Sequence, residues 1–569
     1  MKRFVIIGLL ISICLVFSCS FALCEQPSQV SVKDFGAKGD GTTDDTAAFT
    51  AALNAVAERG GIVFVPVGDY MIKTHIEIPS HVTLEGVWSI PTTFTEMKGS
   101  TLLAVEGAGS ETGTAFITLN RNSTLKGIAV FYPDQKPEKI VPYPWCVASN
   151  GRDNSSIVDC LLVNPYQGVD FGTTASGRHY IRNLYGQPLR RGIFVDQCYD
   201  IGRIENVHFW PFWTWDEKSG LRKWLWENGE AFIFGRTDWE YVFNTFVFGY
   251  KIGYKFIQTE HGAMNGNLLG IGADAANIAM LVEASAAFGL LVTNGEFVSF
   301  TGDKPAEVVI ADTNTGVVQF SNSSFWGGSD QIARIAGTGT VTFNACTFLG
   351  WDREDKKIPA IELTGGNLIV NACNFNGTGP QLTLLDKAKS AIFMGNRMGG
   401  PLAVSNRSKA NLQMGLNIST LPTQRPKEEK GAIVVDDNDG PSAVKYTGTW
   451  VLTKDENAGY FLGTRWAVKG SGDAVATFIP NVPKTGRYKV YAYFGPDPAK
   501  DHASNAPVTV ISADGSATKQ IDLRQMNMQW VELGTFRFKA GRSGKIMFSN
   551  NADGNVLADA VKLVPIAGK

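Results

Sequence analysis

Histidine and paired cysteine are scarce in this chain, and their scarcity narrows its chemistry. Among 569 residues there are 6 histidines and 8 cysteines. No CxxC pair and no histidine cluster has the spacing of a zinc site, so no residue is assigned to a metal. Cys14, Cys19 and Cys24 fall in the first 24 residues. The five that follow, Cys146, Cys160, Cys198, Cys346 and Cys373, are odd in number and widely spaced. They read as buried apolar side chains rather than a disulfide framework. An excess of charge is also missing. The 52 basic and 54 acidic residues leave a net charge of −2, which argues against nucleic-acid binding through a basic face. Helix-periodic stretches are few, and beyond the N-terminus no run reaches the roughly 18 apolar residues of a membrane span.

What the chain does contain starts with an export signal over residues 1–24. Lys2 and Arg3 precede an apolar run from Phe4 to Phe17, followed by small residues through Ser20 and Ala22. Cleavage after Ala22 or Cys24 would release a secreted protein, extracellular or periplasmic; a lipid anchor on Cys19 is the alternative. The 61 glycines, with many β-branched and aromatic residues, predict short strands joined by tight turns. The length predicts two or more domains.

Residues 28–415 read as one solenoid. The opening, SVKDFGAKGDGTTDDTAAFTAALNAVAERGG, predicts a turn at Asp40-Gly41, a helix over Ala47–Ala57 capped by Thr42 or Thr43, and then short strands with turns at Gly68-Asp69 and Pro79-Ser80. This combination resembles the opening of the pectate-lyase-like superfamily, which includes polygalacturonases and phage tailspikes. The resemblance implies a right-handed parallel β-helix whose first coil is capped by the helix. The later sequence points the same way. Segments at Ile181, Ile204, Val242, Val292, Phe320, Phe343 and Val370 look like one strand copied at a solenoid period. Asn183, Asn206, Asn244, Asn267, Asn294 and Asn322 fall near one register, where stacked amides can satisfy one another along the axis. The long step from Asn206 to Asn244 holds a tryptophan-rich insertion.

Residues 416–432, with Pro422, Pro426 and a charge run, read as a linker. From 433 to 569 the strands alternate in and out, which predicts an antiparallel β-sandwich. The runs VVDDNDGPSAVKYTGTW, GRYKVYAYF, WVELGTFRF and NVLADAVKLV resemble the golvesin C-terminal-like domain, implying a carbohydrate-binding role. Trp450, Tyr460, Trp466 and Trp530 are its candidate sugar platforms.

The candidate site surrounds the insertion. Counting back six from Asn206, Asn244 and Asn267 gives Asp200, Asp238 and His261, a predicted row on consecutive coils. Glu230, Glu240, Glu260 and Asp196 lie close by. Glycoside hydrolysis needs one protonated and one ionised carboxyl, about 5–5.5 Å apart for retention and 6.5–9.5 Å for inversion, and Asp200 with Asp238 is the preferred pair. Trp213, Trp215, Trp224, Trp226 and Trp239 are predicted to stack on sugar rings, and Arg236 and Lys255 to hold polar groups. The polygalacturonase motifs are missing from the coils, so that family's catalytic residues do not carry over.

The expected function is a secreted glycoside hydrolase, monomeric and without a cofactor, acting on a polysaccharide or oligosaccharide. One alternative is a polysaccharide lyase, with Lys255, Arg236 or His261 as base and Ca2+ bound by carboxylates. Arg178-His179 and Arg190-Arg191 are further basic candidates. The other alternative is a non-catalytic glycan-binding adhesin.

Overall fold

The computed structural model describes residues 28–566 except 152, 420–424, 454–458, 462, 496–500 and 527. The expected export signal lies outside the described residues, as does part of the expected linker. Among the described residues no helix is long and apolar enough to cross a membrane, and all five cysteines are buried.

Between Gln29 and Ser419, 39 strands join into one sheet of parallel pairings among the described residues, with each strand bonded to those one coil before and after it. The strand copies form because apolar and polar residues alternate. Ile157, Ile181, Ile204, Val242, Leu268, Val292, Phe320, Phe343 and Val370 align in register on successive strands and are buried. Each removes roughly 1.5–3 kcal/mol worth of apolar surface from water. Where the column turns aromatic, the rings stack: Phe320 and Phe343 lie 5.0 Å apart at 8°.

The corner after this strand needs a left-handed residue on every coil. Asp159, Asn183, Asn206, Asn244, Gly270, Asn294, Asn322, Ala345 and Ala372 all supply one, with φ between 49° and 64°. Asparagine suits it because its amide bonds onward. Asn183 donates to Asp159 at 2.7 Å, Asn206 to Asn183 at 2.6 Å and Asn244 to Asn206 at 3.1 Å. The expected ladder is present, with one correction: Gly270, not Asn267, holds the next corner.

The helix α1 (Thr46–Val56) buries Phe49, Ala52, Leu53 and Val56. Asp45, not Thr42 or Thr43, occupies its N-cap. The two threonines instead bond to Asp40.

The C-terminal unit is an antiparallel β-sandwich. Ile433–Asp436, Ala560–Pro565, Gly486–Phe494 and Gln529–Phe538 form one sheet. Val444–Thr447, Val475–Phe478, Lys545–Ser549, Ala506–Ser512 and Gly515–Ile521 form another. Phe478, Val490, Phe494, Val508 and Phe548 fill the space between them. Tyr460 is buried and packs edge-on against Trp530 at 5.0 Å. Trp450 and Trp466 pack against the core.

Candidate functional site

The face of the solenoid that carries the Ile181–Val370 column on its inner side has an open groove of about 720 Å³ on its outer side. Alternation puts it there, because residues flanking each buried Ile or Val point outward. One outward row runs Tyr180, Arg203, Tyr241, Asn267 and Leu291 across successive strands. The row beside it runs Arg182, Glu205, Phe243, Leu269 and Thr293. Neighbours within a row stand about 4.8 Å apart on the backbone, so a cation, two phenols and a carboxylate share a small area. Tyr241 and Phe243 are 38% and 48% exposed, enough to meet a sugar ring.

Polar contacts organise this patch. The Tyr180 hydroxyl donates to Glu205 at 2.8 Å; burial and then the Glu205 carboxylate push its phenol above the usual tyrosine range. Arg182 lies 3.7 Å from Asp159. Arg203 is exposed and is left without an ion-pair partner among the described residues.

The acids chosen from the sequence do not assemble as expected. Asp200 is exposed and bonds to Arg178 at 2.6 Å, and the same guanidinium holds Asp153. The Arg178 hydrogen bond, helped by the Ile201 amide, keeps the Asp200 carboxyl below its ordinary range, the opposite of what a general acid needs. Asp238 is exposed at the start of its strand and pairs with Asn265, not with His261. His261 lies four residues earlier in a turn, 3.6 Å from the exposed Glu260. The predicted row of Asp200, Asp238 and His261 therefore does not form, because the corner of that coil lies at Gly270 and not at Asn267.

Glu240 points inward and is fully buried, sealed from any substrate. Asp196 is 4% exposed, and its Oδ1 accepts from the Arg236 amide at 2.5 Å and Thr259 Oγ1 at 3.0 Å, which makes it a loop brace. Glu230 belongs to another face, between Arg190 at 3.4 Å and Lys255 at 3.1 Å. Lys255 also reaches Glu283 at 3.7 Å. The Arg236 guanidinium sits over the Tyr199 ring at 5.3 Å.

The insertion packs largely on itself, and none of its tryptophans lines the groove. It contains the helix α2 (Leu221–Asn228). Trp215 stacks on Trp210 at 5.1 Å and is covered by Arg222 at 5.0 Å; Trp226 also lies under Arg222, at 5.4 Å. Trp224 meets Tyr166 at 6.1 Å, and Trp213 is buried. Trp239 has φ 67° at the register irregularity between Asp238 and Glu240. The half-exposed Trp215 lines a small recess with Asp216, Arg222 and Phe248.

Two clusters among the described residues have the donor types and spacing of metal ligands: His179, Cys198 and Glu240, and Asp436, Asp437 and Asp559. Neither lines the groove, whose charged and aromatic lining includes Arg203, Glu205, Tyr241 and Phe243, with Tyr180 beside Arg203 in the same row. The sequence signal for these residues was available, since each flanks a repeated buried position.

Comparison with known proteins matches both resemblances. Residues 29–196 match the family model "Rhamnogalacturonase A/epimerase, pectate lyase-like". Residues 433–565 match the Golvesin C-terminal domain. Each match covers one part of the chain, the first within the β-helix and the second over the sandwich. A xanthan lyase from Bacillus sp. (strain GL1) is 31% identical over 195 residues, covering 33% of this chain and 20% of the relative. Alginate lyase 7 of Azotobacter vinelandii is 53% identical over 46 residues, 8% of this chain and 5% of the relative. The chain therefore spans a fifth or less of the length of these relatives. Among solved structures, the A-module of the Azotobacter vinelandii mannuronan C-5 epimerase AlgE6 aligns with 69% of this chain and 99% of its own. The TM-score is 0.42 and the identity 14%.

Proposed function

We propose that the protein is a secreted, monomeric polysaccharide lyase acting on a uronate-containing polymer laid across the groove. The observation that carries this reading is Arg203 standing exposed and unpaired between Tyr180 and Tyr241 in one register row. A uronate carboxylate resists loss of the neighbouring carbon-bound proton, and a fixed guanidinium offsets that by neutralising the charge that develops. In this reading Tyr241 takes the C5 proton and the Tyr180–Glu205 pair protonates the departing oxygen. The C5–H bond and the C4–O bond break, a C4=C5 double bond forms, and the leaving chain gains a hydroxyl.

Support also comes from the lyase names of two relatives that share segments with this chain. Hydrolysis by Asp200 and Asp238 is the weaker reading, since Arg178 holds Asp200 ionised.

The test is incubation with uronate-containing polysaccharides, alginate and xanthan among them, reading reducing ends and ultraviolet absorbance together. Matched growth of both signals supports elimination. Reducing ends without absorbance would replace this reading with hydrolysis. Inverted uronate centres without chain cleavage would mean epimerisation. Silence on every polymer would favour a binding protein.

A further inference from the structure

Three carboxylates meet in the interior of the sandwich domain. Ile433–Asp436 runs antiparallel to Ala560–Pro565, with Asp436 opposite Ala560. Asp437 follows the first strand and Asp559 precedes the second, so the pairing itself draws Asp436, Asp437 and Asp559 together. Each offers an oxygen within 4.8 Å of the others, and their exposures are 0%, 3% and 0%.

Their hydrogen bonds use only part of this oxygen set. Asp436 Oδ1 accepts from the Asn438 amide at 3.0 Å. Asp437 Oδ1 accepts from Asn438 Nδ2 at 2.9 Å. Both Asp559 oxygens accept from the Tyr460 amide at 3.1 Å. Asp436 Oδ2 and Asp437 Oδ2 are buried with no hydrogen-bond partner among the described residues. Arg465 comes within 3.5 Å of Asp437 Oδ2, while Arg425 is engaged by Asp439. If all three were ionised, three negative charges would face one guanidinium. Burying ionised carboxylates without compensation is strongly unfavourable.

We propose that Asp436, Asp437 and Asp559 bind one divalent cation, Ca2+, which clasps the first strand of the sandwich to its last. The donor atoms are all oxygen, which selects a hard cation. Ca2+ suits a dry site of irregular carboxylates better than Mg2+, which keeps its waters. A divalent charge together with Arg465 would balance three ionised carboxylates. None of the three lines the groove, and the site does not depend on the reaction assigned there.

The experiment uses the exported full-length protein without any polysaccharide. After dialysis against EGTA, metal analysis and calorimetry are repeated with Ca2+ added back, then with Mg2+. One Ca2+ per chain is expected. At a hundredfold excess over the dissociation constant, an upward shift of about 10 °C is expected in the sandwich transition. Asp437→Asn with Asp559→Asn should abolish both effects. If that variant does not fold, Tb3+ emission excited through the neighbouring Tyr446 and Tyr460 of the native protein, displaced by Ca2+, reads the same site. Retention of the ion by a folded double variant would overturn the proposal. So would a native protein with no Ca2+-dependent shift and no Tb3+ emission, which would mean that the trio is held by shared protons. A shift with Mg2+ equal to that with Ca2+ would overturn the choice of ion.

Discussion

His179 Nε2 lies 2.8 Å from Glu240 Oε1 inside the solenoid, and neither side chain has any exposed surface. The other ring nitrogen, Nδ1, faces the Ser176 carbonyl at 3.1 Å. A ring with an acceptor at each nitrogen is suited to the doubly protonated form. Breaking such a pair leaves a lone buried charge, which costs about 3–5 kcal/mol. Glu240→Ala should lower the urea midpoint of the β-helix accordingly. Replacing both residues with apolar ones of similar volume should recover most of the loss. A Glu240→Ala variant as stable as the native protein would show that the two side chains do not form a buried ion pair.

The same pair predicts a pH dependence. Burial opposes the imidazolium, but the Glu240 carboxylate and Cys198 outweigh it and raise His179 well above the ordinary histidine value. A raised value means that the folded state holds the proton more tightly than the unfolded chain. The stabilisation is complete below about pH 6.5 and is lost as pH rises through the folded value. Denaturant titrations from pH 6 upward should therefore show falling stability on the alkaline side. The slope should shrink in a folded His179→Gln variant. An unchanged slope would place its source elsewhere.

Much of the fold was legible, because the buried column at Ile181, Ile204 and Val242 and the asparagine corners recur with the coil. The site was less so, and the reason is local. Asn267 resembles a corner residue by type, yet it sits three positions before the true corner at Gly270 and points into the groove. Glycine fits a left-handed corner better than asparagine does, so the chemical label and the geometric role separated there. Counting from the wrong residue aligned His261 with Asp238. Tyr180, Arg203 and Tyr241 were hidden by their ordinariness as polar neighbours of a buried residue, and only register makes them a set.

Arg203 is the residue whose loss should cost most in the groove. Arg203→Ala should lower kcat/KM for a uronate polymer by about 10²–10³-fold, as removing one charge-stabilising donor does elsewhere. Arg203→Lys should recover only part, since an ammonium cannot reproduce a two-pronged contact. Tyr241→Phe should depress kcat more than it raises KM. Elimination rates followed by absorbance decide this, and native rates in Arg203→Ala would remove the arginine from the mechanism.

Asp200→Asn separates the two chemical readings. Its carboxylate is engaged by Arg178 and the Ile201 amide, so elimination in the groove should continue at the native rate. A collapse of turnover with polymer binding retained would return Asp200 to the reaction.

The amide ladder makes a last prediction about the scaffold under the groove. Asn206 holds φ 50°, donates to Asn183 at 2.6 Å and to the Tyr185 hydroxyl at 3.1 Å, and accepts from Asn244 at 3.1 Å. Alanine can occupy such a corner, as Ala345 and Ala372 do at φ 52° and 54°, but it cannot continue the ladder. Asn206→Ala should therefore cost about 1–3 kcal/mol in lost hydrogen bonds, with the denaturant slope unchanged. Asn206→Gly relieves the left-handed strain and should lose less. If both variants unfold at the native midpoint, the ladder contributes nothing, and the coils are held by their apolar column alone.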